Sequence, residues 1–408
     1  MTTLHDSASA SARAASGVLF DGLLPQPPDV VLSLIKLFRE DPRAGKIDVG
    51  VGVYKDEQGR TPVFAAMKAA EQRLLETQHT KSYLGPEGDF GYLERLTPII
   101  FGTGAAAADL FAVQTPGGTG ALRLAAELAS AGKPGARIWL GAPSWPIHAP
   151  IFAEAGLEVM TFRHFDPKTQ ALTFDETISA LEDAAAGDVV LLHGCCHNPS
   201  GADPSLDQWR ALANLMVRRG LVPLLDLAYQ GLGAGLDEDA AGLRIVMETV
   251  DNVMVAYSCD KNFGLYRERT GALFVRARAH ADVVRTNILK IARCAWSMPP
   301  DHGAAAVRVI LEDAGLTKMW RDELEACRAR LQAVREMLAE ADPRFEPIRG
   351  QRGMFSMLSL TPAQVELMRK DHAIYMTGNA RINIAGLTAE TIAPFAAAYD
   401  AVLRTTSA

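Results

Sequence analysis

The sequence predicts an α/β protein whose centre is a mostly parallel sheet covered by helices on both faces. Two observations carry this. Between about residues 110 and 275, short β-branched and aliphatic runs alternate with helical stretches. Several of those runs are apolar without a polar alternate, as expected of strands buried on both faces.

Taken in order, the first eighteen or so residues are rich in Ala and Ser and read as a disordered tail, with a weak transit-like reading as the minor option. Ordered chain is expected from about Leu19. Pro25, Pro27 and Pro28 lead into an amphipathic helix holding Val31, Leu34, Ile35 and Phe38. Residues 49–54 then alternate Val and Gly before a turn over 55–59, which reads as a strand and hairpin. The Gly-x-Gly there lacks the third spaced glycine and following helix of a dinucleotide site. The sheet runs are 138–140, 189–192, 221–225 and 253–257, with helices between them such as 206–219. Beyond about 300 the pattern is helical through Ala341, and a short α+β tail carries 355–360 and 381–384.

Composition narrows the function classes. Of 408 residues, 48% are hydrophobic and 22% charged, which is globular, and no apolar run is long enough to span a bilayer. A formal net charge of -7 without a Lys/Arg block argues against nucleic acid as a partner. Five cysteines, two of them adjacent at Cys195 and Cys196, contain no C-x-x-C pair. Neither a disulfide framework nor a metal site is indicated, and a reducing cytoplasm is expected.

The chemistry gathers where the strands end. Asn198 follows the run at 189–192, Asp226 closes the run at 221–225, and Ser258 and Lys261 follow 253–257. Ligands of open α/β sheets bind at that carboxyl edge. A desolvated lysine loses its proton readily and can form a Schiff base with an aldehyde. An aspartate facing a pyridine nitrogen keeps it protonated, making the ring an electron sink. Tyr229 and Asn198 can both hydrogen-bond the phenolic oxygen of such a ring. Alone, an Asp at a strand end is more often a helix cap and a Lys a solvated surface group; the set is what persuades. The turn Thr115-Pro116-Gly117-Gly118-Thr119-Gly120 opens a helix, and its free N–H groups and dipole suit a phosphate as well as a plain helix start. Arg269 and Ser258 can add charge and a hydroxyl. Trp145, in Pro143-Ser144-Trp145-Pro146, can stack on a flat ring or pack in the core.

These segments resemble the class I aspartate and aromatic-amino-acid aminotransferases. The resemblance rests on Ser258-Cys259-Asp260-Lys261-Asn262-Phe263-Gly264, His193-Gly194-Cys195-Cys196-His197-Asn198-Pro199, Asp226-Leu227-Ala228-Tyr229-Gln230-Gly231, Tyr83-Leu84-Gly85 and Ala380-Arg381-Ile382-Asn383, in the family's order. It implies pyridoxal 5'-phosphate (PLP) fold type I: a large domain (63–320) with a seven-stranded sheet, and a smaller α+β domain from both chain ends (19–62 and 321–408). It also implies a homodimer with shared active sites. By the same resemblance, Lys261 holds the cofactor aldehyde and moves the substrate proton, and Asp226 pairs with the ring nitrogen. Tyr229 and Asn198 bind the ring oxygen, and Trp145 stacks on the ring with His148 behind Asp226. Gly118, Thr119, Ser258 and Arg269 hold the phosphate, joined by Tyr83 from the partner. Arg381 grips the substrate α-carboxylate, Gly52 lies near the substrate, and Arg293 reaches a distal carboxylate from the partner.

Two positions depart from the pattern. Cys259-Asp260 stands before Lys261 where many relatives have Tyr-Ser; the acid either supports a protonated Schiff base or points to solvent. Met298 stands where aspartate-preferring members commonly carry Asn, and its apolar bulk favours aromatic substrates. Retention of Arg293 argues for dicarboxylates, so the expectation is dual use: aromatic amino acid or aspartate, with 2-oxoglutarate, by a ping-pong route. The alternatives are a strictly aspartate-specific enzyme, a lyase or decarboxylase on the same fold, and a silent PLP-binding regulator. The last is expected to carry a DNA-binding module for which the chain leaves no room.

Overall fold

The computed structural model describes residues 19, 20, 23–26, 28, 30–103 and 109–407; the expected tail over 1–18 lies outside the described residues. Seven strands form the main sheet, in the spatial order Glu158–Arg163, Arg137–Ala142, Val189–His193, Val222–Leu227, Asn252–Ser258, Thr270–Ala277 and Leu110–Pro116. Thr270–Ala277 runs antiparallel to both of its neighbours, and the remaining pairs are parallel. The sheet is therefore mostly parallel, as expected.

Period-two alternation explains why both faces are covered. In Val189–His193, Val190 and Leu192 join one core with Trp209, Leu212 and Val246 from the helices Leu206–Arg219 and Leu236–Thr249. Val189 and Leu191 point the other way, into a second core with Leu122 and Leu124 of Gly117–Gly132 and Ile288 of Ala281–Ala295. Local signals set the helix ends. Ser205 and Gln208 form a reciprocal capping box at the start of Leu206–Arg219, and Gly220 ends it in the left-handed region at φ 65°. The expected N-terminal helix is found at Val30–Glu40, with Leu34 buried.

The expected strand and hairpin at 49–54 is a misreading. The strand there is only Ile47–Asp48, and it pairs in parallel with Ile374–Tyr375 near the other chain end. The valines that follow need no hairpin partner, because Asn383 Nδ2 donates to the carbonyls of Val51 (2.6 Å) and Val53 (2.7 Å). The backbone N–H of Asn383 donates to Val49 O at 2.7 Å. Arg381–Asn383 also pairs antiparallel with Phe355–Met357. Both chain ends thus meet beside the carboxyl edge of the main sheet, which carries Arg381 to the site described next.

Candidate active site

A cavity of about 310 Å³ opens at that edge. Its floor comes from strand ends and the loops after them: Asn198, Asp226, Tyr229, Ser258 and Lys261. Gly118 and Thr119 enter from the first turn of Gly117–Gly132, Trp145 from the loop after Arg137–Ala142, and Gly52 and Arg381 from the chain ends.

Lys261 sits with its Nζ 3.9 Å from Asp260 Oδ2 and 5.2 Å from the centre of the Tyr229 ring. Burial lowers its proton affinity below that of an ordinary lysine, while Asp260 and Asp226 oppose the shift. Asp226 receives His148 Nε2 at 3.0 Å, and His148 Nδ1 lies 2.8 Å from Ser144 Oγ. Burial alone raises the Asp226 carboxyl. The His148 hydrogen bond outweighs it and holds the group below the usual carboxylate range. Asn198 Nδ2 donates to Tyr229 Oη at 3.2 Å. Burial raises the Tyr229 phenol, and the Asp226 charge adds to that.

Asn198 is held by its own loop. The carboxylate of half-buried Asp203 accepts from the N–H groups of Cys196 (2.7 Å) and His197 (2.9 Å), and His197 Nδ1 lies 2.7 Å from Ser200 Oγ. Arg381 is 6% exposed, and no carboxylate of the described residues pairs with it. It donates to Gly50 O at 2.8 Å and Asn198 Oδ1 at 3.4 Å, lies 4.5 Å over the Phe355 ring, and leaves Nε without a partner. Burial lowers its pKa. A guanidinium so placed is a site for a carboxylate ligand.

The glycine turn is a cradle that side chains would fill. A Cβ at Gly117 (φ +69°) would come within 2.5 Å of Arg269 Nη2, and one at Gly118 within 3.0 Å of Ser258 Cβ. Backbone N–H groups, a helix N-terminus, a hydroxyl and a guanidinium therefore converge on one small volume, the donor set an anion needs.

Tyr83 and Arg293 are not brought to this cavity. Tyr83 is 92% exposed, and Arg293, in the last turn of Ala281–Ala295, is exposed and bonded to Ser297 Oγ. Met298 is also outside it, with its sulfur 3.0 Å from the N–H of Leu84. His148 stands behind Asp226 without lining the cavity. The solvent-facing reading of Asp260 is overturned: it is 6% exposed, lines the cavity, and its Oδ2 accepts from Arg269 Nη1 at 2.6 Å. Sequence reasoning missed His193 and Phe355, both in the cavity wall. His193 had a usable signal, since it ends Val189–His193 in register with Asp226; Phe355 had none beyond its hydrophobicity.

Comparison with known proteins decides the family. The model of "Aminotransferase class I and II" matches residues 44–398. The chain belongs to the class I and II aminotransferases. Among relatives of this aminotransferase, a tyrosine aminotransferase of Rhizobium meliloti (strain 1021) is 53% identical over 390 residues, covering 94% of this chain and 100% of that protein. An aspartate aminotransferase of Escherichia coli (strain K12) is 44% identical over 398 residues, covering 94% and 100%. The solved aromatic-amino-acid aminotransferase from Burkholderia pseudomallei, covalently bound to pyridoxal phosphate, superposes with a TM-score of 0.92 at 36% identity, covering 95% and 100%. No helix of the described residues in this aminotransferase is long and apolar enough to cross a membrane.

Proposed function

We infer that this aminotransferase uses PLP to move an amino group between an aromatic amino acid or aspartate and 2-oxoglutarate, alternating between the two half-reactions at one site. The observation that carries the reading is Arg381, a buried guanidinium that has no carboxylate partner among the described residues and opens on the same cavity as Lys261. The residues present fit the cofactor. Gly118, Thr119, Ser258 and Arg269 would hold its phosphate in the cradle. Asp226 would hold its ring nitrogen, Tyr229 and Asn198 its ring oxygen, Trp145 its face and Lys261 its aldehyde. When bound, PLP supplies a carbonyl for exchange with the substrate amine and a ring that accepts electrons from the Cα–H bond.

The chain's own groups do the rest. Arg381 fixes the α-carboxylate by two parallel hydrogen bonds, which sets the direction of the Cα–H bond. The Lys261 amine, kept readily deprotonated by burial, takes the Cα proton and returns it on the cofactor side. His148 holds Asp226 ionised, from the side away from the cavity.

Tyr83, Arg293 and Met298 are assigned to the cavity of a second copy. The exposure of Tyr83 and Arg293 supports this, as does the contact between Leu84 and Met298 that joins their segments into one surface. A homodimer follows, with Arg293 receiving the distal carboxylate of aspartate or 2-oxoglutarate and Met298 adding apolar surface for a ring. The division into a large domain (63–320) and a smaller one (19–62 with 321–408) is supported by the pairing of Ile47–Asp48 with Ile374–Tyr375, and Ala314–Ala341 is the helix that joins them. A cytoplasmic location is supported by the buried free thiols of Cys195 and Cys196.

The test is a single-turnover titration of the PLP-loaded protein with L-aspartate and then L-phenylalanine, following the cofactor absorption band. Conversion to the amine form by both is the expected result. Conversion by aspartate alone makes the enzyme aspartate-specific, and conversion by neither overturns the reading.

A further inference from the structure

The anion cradle of this chain already contains an anion. Asp260 lines the same cavity as Gly118, Thr119, Ser258 and Arg269, and its backbone N–H donates to Ser258 Oγ at 3.2 Å. Its Oδ2 accepts a hydrogen bond from Arg269 Nη1 at 2.6 Å, and Arg269 Nη1 also donates to Tyr266 O at 3.2 Å. Its other oxygen, Oδ1, is buried with no hydrogen-bond partner among the described residues. Arg269 Nη2, on the other arm of the guanidinium, lies against the Gly117 turn. Lys261 Nζ lies 3.9 Å from the same carboxylate.

This arrangement is unusual for a pocket that serves a phosphate. A phosphate arriving at the turn meets Nη2 of a guanidinium whose Nη1 is already engaged by a carboxylate. Like charges sharing one cation repel, and screening is weak where water is excluded. A neutral hydroxyl in this place would donate to a phosphate rather than compete with it.

We propose that Asp260 is a built-in competitor for the cofactor phosphate: it holds Arg269 in place when the cradle is empty and weakens the grip on the phosphate when it is full. The inference rests on the PLP reading given above. It has its largest consequence in the half of the cycle where the cofactor is an amine. In that form no bond to Lys261 retains it, and the phosphate contacts carry most of the hold. This chain should then lose the amine form during turnover and depend on free cofactor to recover.

The experiment measures equilibrium binding of PLP and of pyridoxal, which lacks the phosphate, to the resolved full-length apoprotein, read by the absorption of the lysine-bound aldehyde. Asp260→Asn is compared with the unsubstituted protein. The amide keeps the shape of the carboxylate and removes its charge. The expected result is PLP binding tighter by about tenfold or more in D260N, with pyridoxal binding changed much less. The pyridoxal arm cancels any effect of the substitution on Lys261, because both aldehydes react with the same amine. In parallel, inorganic phosphate should raise the melting temperature of D260N apoprotein more than that of the unsubstituted apoprotein. Asp260→Ser repeats both comparisons if the amide does not accumulate folded. Equal PLP affinities overturn the proposal. So does weaker PLP binding in the variants, which would make Asp260 a positioning residue for Arg269. If neither protein forms the lysine-bound absorption with PLP or pyridoxal, the PLP reading itself has failed.

Discussion

Arg381→Lys isolates the carboxylate-binding geometry from the charge. In the structure the guanidinium spans three partners, donating to Gly50 O at 2.8 Å and Asn198 Oδ1 at 3.4 Å while lying over the Phe355 ring. A lysine ammonium keeps the charge but cannot face a carboxylate with two parallel donors and still satisfy those groups. A hydrogen bond to a charged group contributes about 1.5–3 kcal/mol, so losing one of the two costs about ten- to hundredfold in kcat/KM. Leaving Gly50 O or Asn198 Oδ1 short of a donor pushes the loss toward about a thousandfold. The assay is the single-turnover half-reaction with L-aspartate, L-phenylalanine and their keto acids. The α-carboxylate is common to all four, so the losses should be similar, with the cofactor spectrum before substrate unchanged. A loss confined to aspartate would move Arg381 to the distal carboxylate, and no loss would remove it from substrate binding.

Two further predictions follow from side chains around this site. Met298→Asn should lower the ratio of phenylalanine to aspartate kcat/KM, because it replaces an apolar surface with an amide; an unchanged ratio would sink the assignment of Met298 to a substrate ring. The buried histidines should set the acid limb of stability. Burial lowers His193 to about 3, helped by the neighbouring His148, lowers His164 to about 4, and carries His197 well below 6.5 with help from His193. Exposed on unfolding, each titrates near 6.5, so below that pH the unfolded chain binds protons that the folded chain refuses. Stability is therefore full above about 6.5 and falls toward pH 4, by at most about 1.4 kcal/mol per pH unit for each imidazole. Urea unfolding of the full chain between pH 7.5 and 5 measures the slope. His164→Phe should reduce it by up to one proton, and an unaltered slope would show that His164 is not the neutral buried base described here.

Much of the site was legible because its residues obey one topological rule. Asn198, Asp226, Ser258 and Lys261 each lie at or just past the end of a parallel strand, and the strands could be read from their apolar runs. The glycine turn was legible for a different reason: only a backbone without side chains leaves room between Gly117, Gly118, Arg269 and Ser258. What resisted reading depends on partners distant in sequence. Residues 49–54 alternate like a hairpin strand, yet the carbonyls of Val51 and Val53 are satisfied by one side chain, Asn383, from near the far end of the chain. The inward turn of Asp260 depends on Arg269, nine residues on, which itself takes a positive φ of 56°. Nothing in Cys259-Asp260-Lys261 by itself says which way the acid faces. Arg293 and Tyr83 were chosen by resemblance, and the single chain leaves both outside its own cavity.

The charges in the cavity fall at separate poles, and the histidines explain why the poles stay separate. Behind Asp226, His148, His193, His197 and His164 form a column with ring centres 5.2, 4.3 and 4.8 Å apart in succession. Were His193, His197 and His164 cationic, they would offset the Asp226 charge and weaken its hold on a protonated ring nitrogen. Burial keeps these three neutral, so they offer polarisable contact without positive charge. Asp226 is thereby left as the negative end of the cavity, with Arg269 and the start of Gly117–Gly132 at the phosphate end and Arg381 at the substrate carboxylate. A ligand positive at a ring nitrogen and negative at a phosphate fits that order and no reversal of it. Asp260 is the one group that breaks the pattern, a negative charge set at the positive pole, and for that reason its removal should register first in the affinity for phosphate.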